Sequence, residues 1–211
     1  MLAVTLVVVT SRPRDQATSS IVRFSLPIGQ DADVYLGGPD AVWGRPGITS
    51  LTFSPDGNLL VYSARGEDSR RYLQRLDQER AEPLAGTEGA SSPFFSPDGA
   101  WIGFFDGPSL KRVSVADGEF EAIVLNSQVP GTFSTFSGVT WADDRTIVYA
   151  AAAAFPSQRV ALYQVEASGG EPELLAEADS LPGALASYAQ PHILPGSETL
   201  LFHARRSGDP G

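Results

Sequence analysis

"FSPDG" stands at Phe53–Gly57 and again at Phe95–Gly99, 42 positions apart. Ser-Pro-Asp-Gly is turn chemistry. Proline presets φ near −65° at the first central position of a type I turn, Asp suits the second, and Gly takes the left-handed conformation that closes a bulged hairpin. A short apolar stretch precedes each copy ("ITSLTF", "PFF") and another follows ("LLVYSA", "WIGFF"). Apolar run, tight turn, apolar run predicts a β-hairpin. The recurrence carries more information than the turn itself.

In register, "FSPDGNLLVY" (Phe53–Tyr62) matches "FSPDGAWIGF" (Phe95–Phe104). A degraded third copy reads "WADDRTIVY" (Trp141–Tyr149), one residue shorter and without Pro or Gly, and a fourth reads "ILPGSETLLF" (Ile193–Phe202). Their first letters lie 42, 46 and 52 residues apart. Each of the first three hairpins is followed by a stretch alternating at period 2: "RYLQRLD" (Arg71–Asp77), "LKRVSVAD" (Leu110–Asp117) and "VALYQVEA" (Val160–Ala167). A polar turn and a weaker fourth strand follow ("EPLAG", "EAIVL", "PELLA"). Period-2 alternation and repeats of this length predict an all-β β-propeller of four-stranded antiparallel blades. Three units are complete and a fourth begins, so the expectation is an incomplete ring of about three and a half blades. The alanine run Ala150–Ala154 follows "TIVY" and reads as strand end and loop.

The repeated "FSPDG" and its apolar strand resemble the PD40, or WD40-like, propeller repeat of TolB-type proteins. "PLAGTEGASSPFFSPDGAWIGFF" with "LKRVSVADG" resembles the propeller that follows a membrane span in many bacterial serine/threonine kinases. The resemblance covers about residues 21–206. It implies the fold and leaves the function open, because such propellers serve kinases, TolB and prolyl-oligopeptidase-type peptidases alike. It also implies that "IVRFSLP" (Ile21–Pro27) is an early strand closing the ring against the last blade. The expected layout is an apolar, juxtamembrane segment at 1–20 and a propeller at 21–211, with blades about 47–86, 91–126, 137–177 and a partial one at 188–211.

A chain of 211 residues suffices for one sizeable domain. An open arc leaves apolar blade faces uncovered, and Leu200 and Phe202 of the incomplete unit are the residues expected to be poorly covered. The net charge of −10, with Lys111 the sole lysine, argues against nucleic acid as a partner. Cysteine is absent, which excludes disulfides and thiolate metal sites. The N-terminal "MLAVTLVVVTSRPR" has an apolar run too short to span a bilayer and lacks the basic start of a signal peptide. It reads either as a buried strand or as the tail of a membrane helix ahead of Arg12 and Arg14, which would tether the propeller.

Catalytic chemistry is sparse. His192 and His203 flank the fourth hairpin without a ligand-type partner at fixed spacing. There is no G-x-S-x-G elbow, phosphate-cradling loop or kinase signature, and Asp143–Asp144 reads as turn chemistry. No catalytic residue, metal site or cofactor is expected. In propellers, the loops between second and third strands share one face of the disc. Here these read as "SARGEDSRR" (Ser63–Arg71), "FDGPS" (Phe105–Ser109), "AAAFPSQR" (Ala152–Arg159) and "HARRSGDPG" (His203–Gly211). They gather Arg65, Arg70, Arg71, Arg159, Arg205 and Arg206, six of fifteen basic residues, as a rim suited to carboxylate or phosphate. Solvated loop charge balancing Glu67, Asp68 and Asp209 is the plainer reading of the same residues. The resemblance then implies a non-catalytic module that binds a protein or small ligand outside the cytoplasm. The runner-up reading is the gating propeller of a prolyl-oligopeptidase-type peptidase, and the third an envelope interaction platform like TolB.

Overall fold

The computed structural model describes residues 33–34, 51–65, 70–124, 136–152, 160–177, 185–194 and 199–206. It is all-β, in blades of antiparallel strands. The first blade comprises β2 (Leu51–Phe53), β3 (Leu59–Arg65), β4 (Arg70–Arg75) and β5 (Glu82–Leu84). A two-residue strand, β1 (Asp33–Val34), continues the β2 edge along β3. The second blade is β6 (Ser91–Phe95), β7 (Trp101–Asp106), β8 (Ser109–Ser114) and β9 (Phe120–Val124). The third is β10 (Phe136–Trp141), β11 (Thr146–Ala152), β12 (Val160–Glu166) and β13 (Glu173–Ala176). The hairpin β14 (Leu185–Ile193) and β15 (Leu200–Arg206) begins the fourth. Sequence alone does not signal β1 or the parallel pairing of Val160 with Ser187 that joins β14 to the third sheet. The N-terminal apolar run and the expected ring-closing strand Ile21–Pro27 lie outside the described residues.

The repeated pentapeptide performs as its letters predict. The Gly57 amide donates to the Ser54 carbonyl and that of Gly99 to the Ser96 carbonyl, both at 2.9 Å. These are type I turns closed by glycines with φ of +74° and +72°. Serine has a part that turn propensity does not foretell. Ser54 and Ser96 are buried. Each hydroxyl donates to the turn aspartate at 2.5 Å and accepts the amide of the next strand's first residues, Leu59 and Trp101, at 2.9 Å. No atom lies within 4 Å of a Cβ added to Gly57, so its substitution costs backbone strain alone. Gly57→Val or Gly99→Val is expected to lower stability by about 1–2 kcal/mol. Urea unfolding of the single variants measures it, and an unchanged midpoint would refute the turn argument.

A recurring irregularity shapes the innermost strands. β6, β10 and β14 each carry a one-residue bulge around a residue of positive φ three positions before the strand's last residue, Ser92, Gly138 and Gln190, and β14 carries a second between Leu185 and Ser187. Pro93 and Pro191 follow two of these positions, where the interrupted ladder tolerates a missing amide. The inner strands pack in succession, β2 on β6, β6 on β10 and β10 on β14.

Alternation along the strands assigns each face to a neighbour. Val61 and Leu73 meet Ile102, Phe104 and Val113 between the first two blades. Phe105, Leu110 and Ile123 meet Tyr149, Tyr163 and Val165 between the second and third, where the rings of Phe105 and Phe136 stack at 3.8 Å. Ala150, Ala152 and Leu162 meet Tyr188, Leu200 and Phe202 beyond. The alanine run therefore belongs to β11 as far as Ala152, fully buried. The described blades form an open arc. The expectation for its far end needs correction, because Leu200 and Phe202 face inward and are partly covered. Leu201, the residue between them, is 50% exposed on the outer face.

Candidate functional site

The six arginines of the expected rim do not share one environment. Arg65 ends β3 opposite Asp33, and Arg70 and Arg71 open β4. Arg205 and Arg206 close β15 opposite Ser187 and Leu185. Strands thus run further into these segments than turn signals suggest. "FDGPS" shrinks to a turn at Gly107–Pro108, and His203–Arg206 is strand rather than loop. Arg159 lies outside the described residues. Arg70 is part-exposed and sits 3.8 Å from Glu88, an ordinary surface pair.

Arg71 is different in kind. It is only 7% exposed. Its amide donates to Thr87 Oγ1 at 3.0 Å, and its Nη1 donates to Ser63 Oγ. Its Nε is buried without an acceptor. Burial pushes the guanidinium down to about 10. Two further buried polar atoms stand without partners, the indole nitrogen of Trp141 and the hydroxyl of Tyr149. The phenol of Tyr149 is raised by burial among Phe105, Phe136 and Tyr163.

The described carboxyls with shifted pKa values all serve turns. Asp56 and Asp98 are lowered first by the hydroxyls of Ser54 and Ser96, and Asp117 by that of Ser114. Asp143 is lowered first by the Arg145 amide at 2.8 Å, and the Thr146 amide also reaches it, at 2.6 Å. Asp143–Asp144 is thus a turn former, as its sequence predicts. His192 and His203 lie exposed on β14 and β15. Among the described residues, no group of three His, Asp or Glu side chains could hold a metal ion, and no helix is long and apolar enough to cross a membrane.

No protein-family model matches the chain, and no curated protein does. Solved structures do. TolB from Acinetobacter baumannii superposes with a TM-score of 0.57 at 17% identity, over 77% of this chain and 39% of that one. An oligogalacturonate lyase from Vibrio parahaemolyticus gives 0.56 at 17% identity, over 74% and 45%. A puromycin hydrolase gives 0.54 at 16% identity, over 77% and 26%. The chain therefore spans under half the length of each of these proteins. Such likenesses speak for architecture alone, and with the blade order they show that the chain has a TolB-like β-propeller fold.

Proposed function

We propose that this chain is a non-catalytic binding module, a propeller that presents a recognition surface on stacked, well-packed blades. One observation carries the reading: among the described residues arginines gather at strand ends of the stacked blades, Arg65, Arg70 and Arg71 at β3–β4 and Arg205 and Arg206 on β15, while Asp56, Asp98, Asp117 and Asp143 are engaged in their own turns. Arginines at the β3–β4 and β15 strand ends supply recognition chemistry on a rigid support. The resemblance to kinase-attached and envelope propellers supports a sensor on the outer side of a bacterial membrane. The hydrolase among the structural neighbours favours a second reading, an accessory propeller beside a hydrolase domain.

The test is a screen of the purified chain by amide exchange and by turnover. Ligand protection at the β3–β4 and β15 strand ends, with no hydrolysis of ester, peptide or glycoside substrates, is the expected result. Turnover that survives exhaustive purification and is lost in His192→Ala or His203→Ala would overturn it.

A further inference from the structure

The chain has two histidines, and the fold puts both on one exposed face of the fourth hairpin. His192 pairs with Leu201, and Ala189 pairs with His203. Directly paired residues share a face, as do residues two apart on one strand. Ala189, His192, Leu201 and His203 therefore lie together on the side opposite Leu200 and Phe202, which pack against the third blade. The bulge between Ala189 and His192 makes this so. In an unbroken ladder His192 would stand opposite Leu200, on the inward face. The extra residue turns it outward, beside His203.

The other hairpins do not repeat the arrangement. The pair equivalent to His192 and Leu201 is Thr52 and Val61, Phe94 and Gly103, or Thr140 and Val148. Two positions further along the second strand, where the fourth hairpin has His203, stand Ser63, Phe105 and Ala150. Diagonal partners on a sheet are roughly 7–8 Å apart, within reach of two long side chains. Both imidazoles are exposed, and among the described residues neither has a hydrogen bond or ion pair to give up.

We propose that His192 and His203 form a two-imidazole chelate for a borderline divalent transition metal, with Cu(II) bound most tightly. The donor set decides the class. Imidazole nitrogen suits copper, nickel and zinc, and copper heads the affinity order. Ala189 and Leu201 between the two rings bring no carboxylate, so the hard, oxygen-seeking Mg(II) and Ca(II) are poorly served. Two protein ligands leave the remaining coordination positions to exchangeable water. The inference is independent of the binding-module reading.

The experiment titrates the ¹⁵N-labelled full chain with CuCl₂ at neutral pH and follows paramagnetic broadening. Amide signals of 189–193 and 200–204 are expected to broaden first and to saturate at one ion per chain. ZnCl₂ should shift the ring signals of both histidines over the same concentration range. His192→Ala and His203→Ala should each weaken Cu(II) binding by at least about tenfold, because the second imidazole of a chelate acts intramolecularly. Both side chains are exposed, so the variants should keep the metal-free melting temperature. Undiminished affinity in either single variant would overturn the chelate. So would ring signals that respond to zinc at different concentrations, first broadening away from this hairpin, or Mg(II) binding as tight as Cu(II).

Discussion

Gly138→Ala is expected to destabilise the chain by about 3–5 kcal/mol and to release the β14–β15 hairpin before the other blades. Two independent costs coincide at this residue. Its φ of +112° lies where side chains are rarely tolerated. A Cβ there would also fall 2.7 Å from Gln190 Cα and 2.9 Å from Gln190 N, with Pro191 Cδ at 3.1 Å. Two of these three atoms are backbone, so no rotamer change relieves the contact. The bulges of β10 and β14 meet at this point, and the fourth hairpin would have to move away. Tyr188 is buried in the seam behind it, edge-on to Phe202 at 4.9 Å, and its hydroxyl donates to the Glu177 carbonyl at 2.9 Å. In a structure whose blades contact only their neighbours, such a loss stays local at first. Amide exchange should accelerate through 188–193 and 200–204 while β6–β9 keep their protection. A loss below about 1 kcal/mol with unchanged exchange would refute this account of the inner bulges.

The hairpins were legible because their signals are local. Pro, Asp and Gly fix a turn within five residues, and period 2 marks the strands on either side. The degraded copy at Trp141 remained readable because Asp143 replaces the lost turn residues by accepting two backbone amides. What was not legible depends on partners distant in sequence. Arg71 heads a strand beside a charged segment, and that context reads as rim. Only the register with Ser63 and Leu84 places it in a seam. The expectation that Leu200 and Phe202 are poorly covered, drawn from the incomplete ring, needed correction for the same reason. Alternation separates Leu201 from its neighbours but does not say which set faces the third blade. The bulges at Ser92 and Gln190 have a weak local sign, a proline immediately after, that becomes readable only when the copies are aligned.

That alignment also exposes an exchange of bulk. On the hairpin of the first blade Thr52 faces Val61, and on the third Thr140 faces Val148. On the second the same positions hold Phe94 and Gly103. A Cβ on Gly103 would sit 2.2 Å from Phe94 Cζ, with two more ring carbons within 2.7 Å. The ring covers the glycine, and it has little room to swing because it is buried and lies against Trp141 at 5.6 Å between centroids. Gly103→Val is therefore expected to cost about 2–3 kcal/mol, despite the better strand propensity of valine. Phe94→Thr should be costly too, since it empties a site in the seam between the second and third blades. The double change, Phe94→Thr with Gly103→Val, installs the pair used by the other two hairpins. Its cost should fall short of the sum of the single costs by at least about 1 kcal/mol, a coupling that a double-mutant cycle in urea reads directly. Additive effects would mean that the glycine is not there for the ring. The coupling would show that the blades are variations on one packing problem, in which a large inner-strand residue demands an empty place on its partner.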